Sequence, residues 1–344
     1  NFLDPKKYFS ELVTVEAKNK KLVFVNFKKK EFYICNLDLT NCNTIKNENL
    51  DFKKLLADVV SQEFTIIGKE KSPDEDYIFV FDDIDYDKGQ FLKKNIWNSK
   101  LIINDTILKY NNNIIVDVNS ESKLIKIKQT SNNGRALITK GQLDDWAISF
   151  EGSESESNAA EDSKNYFNLS GCLTFIDIVV QNLTINTENS KCEDAINFIR
   201  VNGSLKSVNI RNSISDALDI DYSKLSINDA NIYLAKNDCI DFSYGLYQIE
   251  KIKIEKCGDK GISAGEKSIL KVNYAEINFS NIGIAVKDSS IMEVNESKIF
   301  NSTICFAAYR KKQEFYGAKI KINKTNCTKD KFFNTEGSEI NLGT

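Results

Sequence analysis

Apolar and polar residues alternate along most of the chain in runs too short for helices, and the runs recur at a fixed step. Five segments align: Ala195-Ile196-Asn197-Phe198, Ala217-Leu218-Asp219-Ile220, Cys239-Ile240-Asp241-Phe242, Gly261-Ile262-Ser263-Ala264 and Gly283-Ile284-Ala285-Val286. Cys305-Phe306-Ala307-Ala308 continues them, so the starts stand at 195, 217, 239, 261, 283 and 305, a step of 22 each time. A column of isoleucines keeps the same beat at Ile210, Ile232, Ile254, Ile277 and Ile299. Such units are too short for helix–loop–helix and lack the Leu/Asn pattern of leucine-rich repeats. One unit alone cannot bury its alternating side chains. Coiling the chain so that each unit stacks about 4.8 Å from the last gives continuous parallel sheets around one interior stack.

The expected fold is therefore mainly β: a right-handed parallel β-helix with rungs of about 22 residues. Looser alternation at Leu101–Ile103, Ile114–Val116, Leu124–Ile127, Trp146–Ile148 and Leu183–Ile185 extends the coil back to about residue 96. The acidic stretch from Glu151 to Lys164 reads as an exposed loop. Residues 1–95 differ. Leu22–Phe27 and Glu31–Cys35 predict a hairpin, and Phe64–Ile67 and Tyr77–Phe81 predict further strands. Phe52, Leu55, Leu56, Val59 and Val60 have the spacing of an amphipathic helix. The expectation is two domains, a small α+β module over 1–95 that caps the first rung and the coil over 96–344.

Composition narrows the setting. The 344 residues carry a net charge of −3, which disfavours nucleic acid as a partner. No apolar run is long enough for a membrane span. The chain begins at Asn1 rather than Met, as either a mature end after processing or an excised segment would. Eight cysteines occur without a CxxC pair, which argues against a zinc site. Their spacing suggests Cys35–Cys42, Cys172–Cys192, Cys239–Cys257 and Cys305–Cys327, hence an oxidising compartment. The alternative is buried free thiols, since Cys is often a small core residue.

The motifs Ser215-Asp216-Ala217-Leu218-Asp219-Ile220, Asn237-Asp238-Cys239-Ile240-Asp241-Phe242 and Gly258-Asp259-Lys260-Gly261-Ile262-Ser263 carry a resemblance, as does Gly283-Ile284-Ala285-Val286-Lys287-Asp288. They resemble the repeats of the pectate-lyase-like parallel β-helix superfamily. They are also similar to β-helical segments of spore-coat-kinase-like bacterial surface proteins. The resemblance covers about residues 170–325 well and 96–170 weakly. It implies a polysaccharide or cell-surface glycan as partner and an extracellular, surface or periplasmic home; it is specific for fold and poor for activity.

Stacking turns sequence columns into spatial rows. Asn197, Asp219, Asp241 and Ser263 form one, and Ile199, Asp221, Ser243, Gly265, Lys287 and Tyr309 another. Asp219, Asp221 and Asp241 are thus expected on one exposed strand face, flanked by Lys287, Tyr309 and Arg310. Three readings stand side by side. The first is a Ca2+ site, with Lys287 or Arg310 removing a uronate proton as in lyases. The second is hydrolysis by an Asp pair. The third is structural: polar residues on a strand face, with Asp accepting turn amides. No His occurs, which excludes the closest epimerase and polygalacturonase types of the superfamily. The run Asp83-Ile-Asp85-Tyr-Asp87-Lys-Gly89 lacks the sixth-position Gly and twelfth-position Glu of an EF-hand and reads as an acidic turn. Tyr222, Tyr244 and Tyr309 are candidate sugar-stacking platforms, or else an aromatic ladder that holds the sheet. Nine Asn-x-Ser/Thr sequons occur, Asn168 and Asn202 among them, some by chance in an Asn-rich chain. The leading expectation is a glycan-binding or interaction scaffold. The alternatives are a Ca2+-dependent lyase acting on an acidic polysaccharide and a self-associating surface fibre.

Overall fold

The computed structural model describes residues 97–153 and 169–343, together with the backbone of five strands between 12 and 69. The chain divides into two compact units, Asn1–Ile96 and Trp97–Thr344. In the first, Asn43–Lys46, Glu31–Asn36, Lys21–Asn26, Leu12–Ala17 and Phe64–Lys69 lie in that spatial order as one antiparallel sheet. The expected hairpin is therefore present. The expected helix over 52–60, the strand over 77–81, the acidic turn over 83–89, most of the acidic loop and the Cys35–Cys42 bridge lie outside the described residues.

The second unit is a right-handed parallel β-solenoid of about 9 turns, running from Leu124 to Leu342. Each turn has three walls. The first wall stacks Ala136–Thr139, Gly171–Ile176, Asp194–Ile199, Asp216–Asp221, Ile240–Ser243 and Lys260–Gly265, then the ends of Ile269–Lys287 and Ile291–Tyr309, then Phe332–Asn334. The second and third walls are the two halves of longer strands such as Asn202–Ser213, Lys224–Ala235 and Leu246–Cys257.

In-register pairing puts like on like. Inside the first wall run Ile138, Phe175, Phe198, Ile220, Phe242, Ala264, Val286 and Ala308. Phe175 and Phe198 stack with ring centroids 4.6 Å apart. Inside the third wall, Ile210, Ile232, Ile254, Ile277 and Ile299 pair rung to rung as the sequence column predicts. These side chains are buried and form one continuous core.

The start of the coil is a correction. Residues 99–119 are antiparallel, not the first parallel turns: Ser99–Ile103 pairs with Thr106–Tyr110, and Ile114–Asn119 pairs with Leu124–Gln129. Alternation alone is common to both kinds of sheet; only a rung-length gap distinguishes them, and here the connections are short turns. Thr106–Tyr110 also pairs antiparallel with Ala136–Thr139. The two strands thus occupy sheet edges of the first turn that would otherwise be open.

Three expected disulfides are formed, Cys172–Cys192, Cys239–Cys257 and Cys305–Cys327, each closing a loop of roughly one turn. Their presence points to an oxidising, non-cytoplasmic compartment. No helix among the described residues is long and apolar enough to cross a membrane.

Candidate functional site

Positive-φ residues make the corner where the first wall turns into the second. Arg200, Tyr222, Tyr244, Glu266 and Asp288 occupy this left-handed slot on successive turns. A bulky side chain there carries a backbone cost of order 1 kcal/mol that Gly or Asn would reduce. The opposite corner is mixed, with Asn189, Asn212 and Asn301 sharing it with Leu234, Lys256 and Phe279. Tyr222 and Tyr244 nonetheless hold their slots. Their rings lie parallel, 4.8 Å between centroids and 4° between planes, and remain 56% and 39% exposed. Phe315 tilts against Tyr244 at 6.2 Å. Glu266 beside them pairs with Lys312 at 2.6 Å. On the second wall, close in sequence after the corner, Leu246, Ile269 and Ile291 stack in register as an exposed aliphatic row. That row has the same step as the core columns, so in the sequence it is indistinguishable from core.

Tyr309 does not join the tyrosine pair. It pairs in register with Lys287 and is half-buried. Burial raises its pKa, with Lys287 and Lys260 pulling it back.

The aspartates occupy the outer side of the first wall, in the predicted register: Asn197, Asp219, Asp241 and Ser263 pair in turn, as do Ile199, Asp221 and Ser243. Their surroundings differ from the exposed face expected. Asn197, Ser263 and Lys287 are buried, and the three aspartates are half-buried. Asn197 Nδ2 donates to Asp219 at 2.8 Å. Lys287 Nζ lies 3.4 Å from Asp241 Oδ2, its stem lying over Gly265, which has no side chain to obstruct it. Asp216 accepts from the Asn237 amide and the Asp238 backbone N–H, while Lys260 pairs with Asp238 and Asp259.

Burial and crowding favour protonation. Burial, then the charges of Asp194 and Asp221, push Asp219 well above the usual carboxylate range. Burial, then Asp241, raises Asp221 to about 6, and burial raises Asp216 likewise to about 6. Lys287 behaves oppositely to a base: burial lowers its pKa, but Asp241 together with Tyr309 and Asp238 more than reverses this, so its ammonium is held protonated. Arg310 is exposed and stands on the turn of Tyr309, further along the coil than Lys287.

A bound Ca2+ would compete with Lys287 for Asp241 and with the Asn197 amide for Asp219. Among the described residues, no group of three or more His, Cys, Asp or Glu side chains is placed to hold a metal ion. The geometry therefore supplies no step through calcium.

Comparison with family models, curated proteins and solved structures finds no match to this chain. The likeness to pectate-lyase-like proteins thus rests on the coil and its repeat.

Proposed function

We propose that this protein is an extracellular solenoid scaffold that binds a glycan at the corner bearing Tyr222 and Tyr244. The stacked, exposed tyrosine pair carries the reading. Flat aromatic faces with a polar hydroxyl suit the apolar faces and hydroxyl rims of sugar rings. The Lys312–Glu266 pair at the same corner offers charged hydrogen-bond partners. The disulfides support the extracellular setting.

The lyase alternative is less well supported. Lys287 is tied to Asp241 and held protonated, and Arg310 stands apart from the aspartates. An ultraviolet assay for unsaturated products with pectate, alginate and glycosaminoglycans is expected to stay flat with calcium present.

The test of the main reading is a glycan array followed by titration of the best ligands. Tyr222→Asn suits the left-handed slot and leaves the fold intact. It is expected to weaken binding at least tenfold at unchanged melting temperature to within a few degrees. Binding unaffected by Tyr222→Asn and Tyr244→Asn together would remove the corner from consideration.

A further inference from the structure

The outer side of the second wall carries a row that neither the core nor the tyrosine corner accounts for. Leu246, Ile269 and Ile291 pair in register on three successive turns and stand 49%, 51% and 49% exposed. A single exposed aliphatic side chain needs no explanation; a contiguous row of them marks a contact surface. The row is bounded by charge. Lys224 pairs with Leu246 on the turn before, and Lys319 pairs with Ile291 on the turn after, where it also binds Glu339 at 3.2 Å. In the neighbouring row, two residues on, Lys271 and Lys321 flank Glu293, and Lys321 binds it at 3.1 Å.

One turn is longer than the others here and adds to this surface. Lys319 follows Ile291 by 28 positions, where Ile291 follows Ile269 by 22. The extra residues form a loop over 310–317. Asp288 holds it down, its carboxylate accepting the backbone N–H groups of Lys311 and Lys312 at 2.7 and 2.8 Å. The Tyr316 backbone is tied to Ser289, two residues before Ile291: its carbonyl accepts from the Ser289 N–H at 2.9 Å, and its N–H donates to Ser289 Oγ at 2.8 Å. That anchor sets the Tyr316 ring, 84% exposed, beside the last aliphatic turn. The loop also carries Arg310, Lys311 and Lys312 against Glu314. On this wall and loop cations outnumber carboxylates, although the whole chain stands at −3.

The arrangement selects among occupants. A peptide adding as a strand needs a free sheet edge, and this wall is sheet interior, paired on both sides from Lys224 to Lys319. A second copy packed by two-fold symmetry about Ile269 would set Lys224 against Lys319 and Lys271 against itself, like charge on like. A standard protein interface covers about 800 Å² per partner around a packed apolar centre, more than three half-exposed aliphatic side chains provide. A bilayer surface asks less and matches the pattern. Aliphatic side chains enter the acyl boundary, a tyrosine ring suits the headgroup level, and lysine stems lie along apolar surface while their ammonium groups reach lipid phosphates. The excess of cations favours anionic lipid. We infer that the second wall is a membrane-contact face, on which the Leu246–Ile269–Ile291 row and Tyr316 seat in the headgroup region of an anionic bilayer and hold the solenoid on its side. The row is fixed by the sheet beneath it, so little ordering is needed on contact. The inference is independent of the glycan-binding reading.

The experiment is co-sedimentation of the whole chain with vesicles of phosphatidylcholine alone and of phosphatidylcholine with one third phosphatidylglycerol, at low and at physiological salt. Binding is expected to be at least tenfold stronger to the anionic vesicles and to weaken as salt rises. Ile269→Lys removes an aliphatic side chain while adding positive charge, and is expected to weaken binding at least fivefold. Ile291→Lys replaces it should the first variant lack a native melting curve. Ile115→Lys, at a similarly exposed isoleucine (59%) outside the row, is expected to bind as the wild type does. Stronger binding by Ile269→Lys would mean attraction by charge alone and overturn the row. Equal losses in Ile115→Lys and Ile269→Lys would overturn the location. Binding to neither vesicle would overturn the bilayer and leave an acidic protein as the occupant.

Discussion

Lys287 reaches over Gly265 to set its ammonium 3.4 Å from Asp241, two turns away along the coil. A Cβ on Gly265 would lie 2.9 Å from Lys287 Cε, so the glycine is the channel through which the pair forms. The lysine side chain is only 5% exposed, and the carboxylate it meets lies in a row already crowded with like charges. Removing one partner of such a pair leaves an uncompensated charge and costs on the order of 3 kcal/mol. Lys287→Met is therefore expected to lower the urea midpoint markedly. Adding Asp241→Asn should recover much of the loss. Additive losses in the double variant would show that the two side chains are not coupled.

The aspartate row predicts the pH response. In the folded coil Asp216 and Asp221 titrate near 6, against 3.8 ordinarily. The folded state thus holds more protons than the unfolded chain between those values. Their contribution to stability is complete below about pH 4, falls as pH rises through 6 and is level above. Asp259 and Glu266 are displaced downward by Lys260 and Lys312, against the effect of burial, and act in the opposite sense only at lower pH. The melting temperature is expected to decline from pH 4.5 to 7. Asp221→Asn should flatten that decline and add on the order of 1 kcal/mol at pH 7.5. A wild-type profile that rises over this interval would refute the assignment.

Each disulfide closes a loop of about one turn, with separations of 20, 18 and 22 residues. Loops of that size restrict the unfolded chain by about 3 kcal/mol each. Replacing Cys239 and Cys257 by Ala is expected to cost about this much. Because turns contact mainly their neighbours, the loss should be local. Amide exchange should accelerate around residues 235–262 and stay slow around residues 171–199.

The Phe175–Phe198 stack is the bulkiest step of the interior column. Phe198→Ala removes a fully buried ring between two turns and is expected to cost about 4 kcal/mol. Phe198→Leu, which keeps most of the volume, should cost well under half of that. Equal losses would mean that ring stacking, rather than filled volume, dominates.

Register was legible in the sequence because a coil repeats its own environment. A residue 22 or 23 positions on faces the same neighbours, so Ile210 to Ile299 and Asn197 to Ser263 align as read. Three cysteine pairs were legible instead from an even count and close spacing in the chain, and Tyr222 stacks on Tyr244 because their columns coincide. Burial was not legible. Alternation says which side of a strand a residue is on, not how much water reaches that side, so Asp219 and Asp241 read as exposed. Columns alone also do not show distance along the axis: Arg310 shares a neighbourhood of columns with the aspartates but sits several turns away. An Asn-rich composition hides the hydrogen-bonded column Asn186, Asn209 and Asn231, whose spacing is 23 and 22.

The in-register walls also determine how such a chain can change in length. Deleting one whole turn, for example residues 217–238, would bring Asp216 directly before Cys239 and let every column re-pair with an equivalent partner. Deleting one residue inside a strand would turn the following side chains of that strand inside out. For this lineage of sequences the natural unit of insertion and loss is the complete turn, so relatives are expected to differ in how many turns they carry more readily than in how long each turn is.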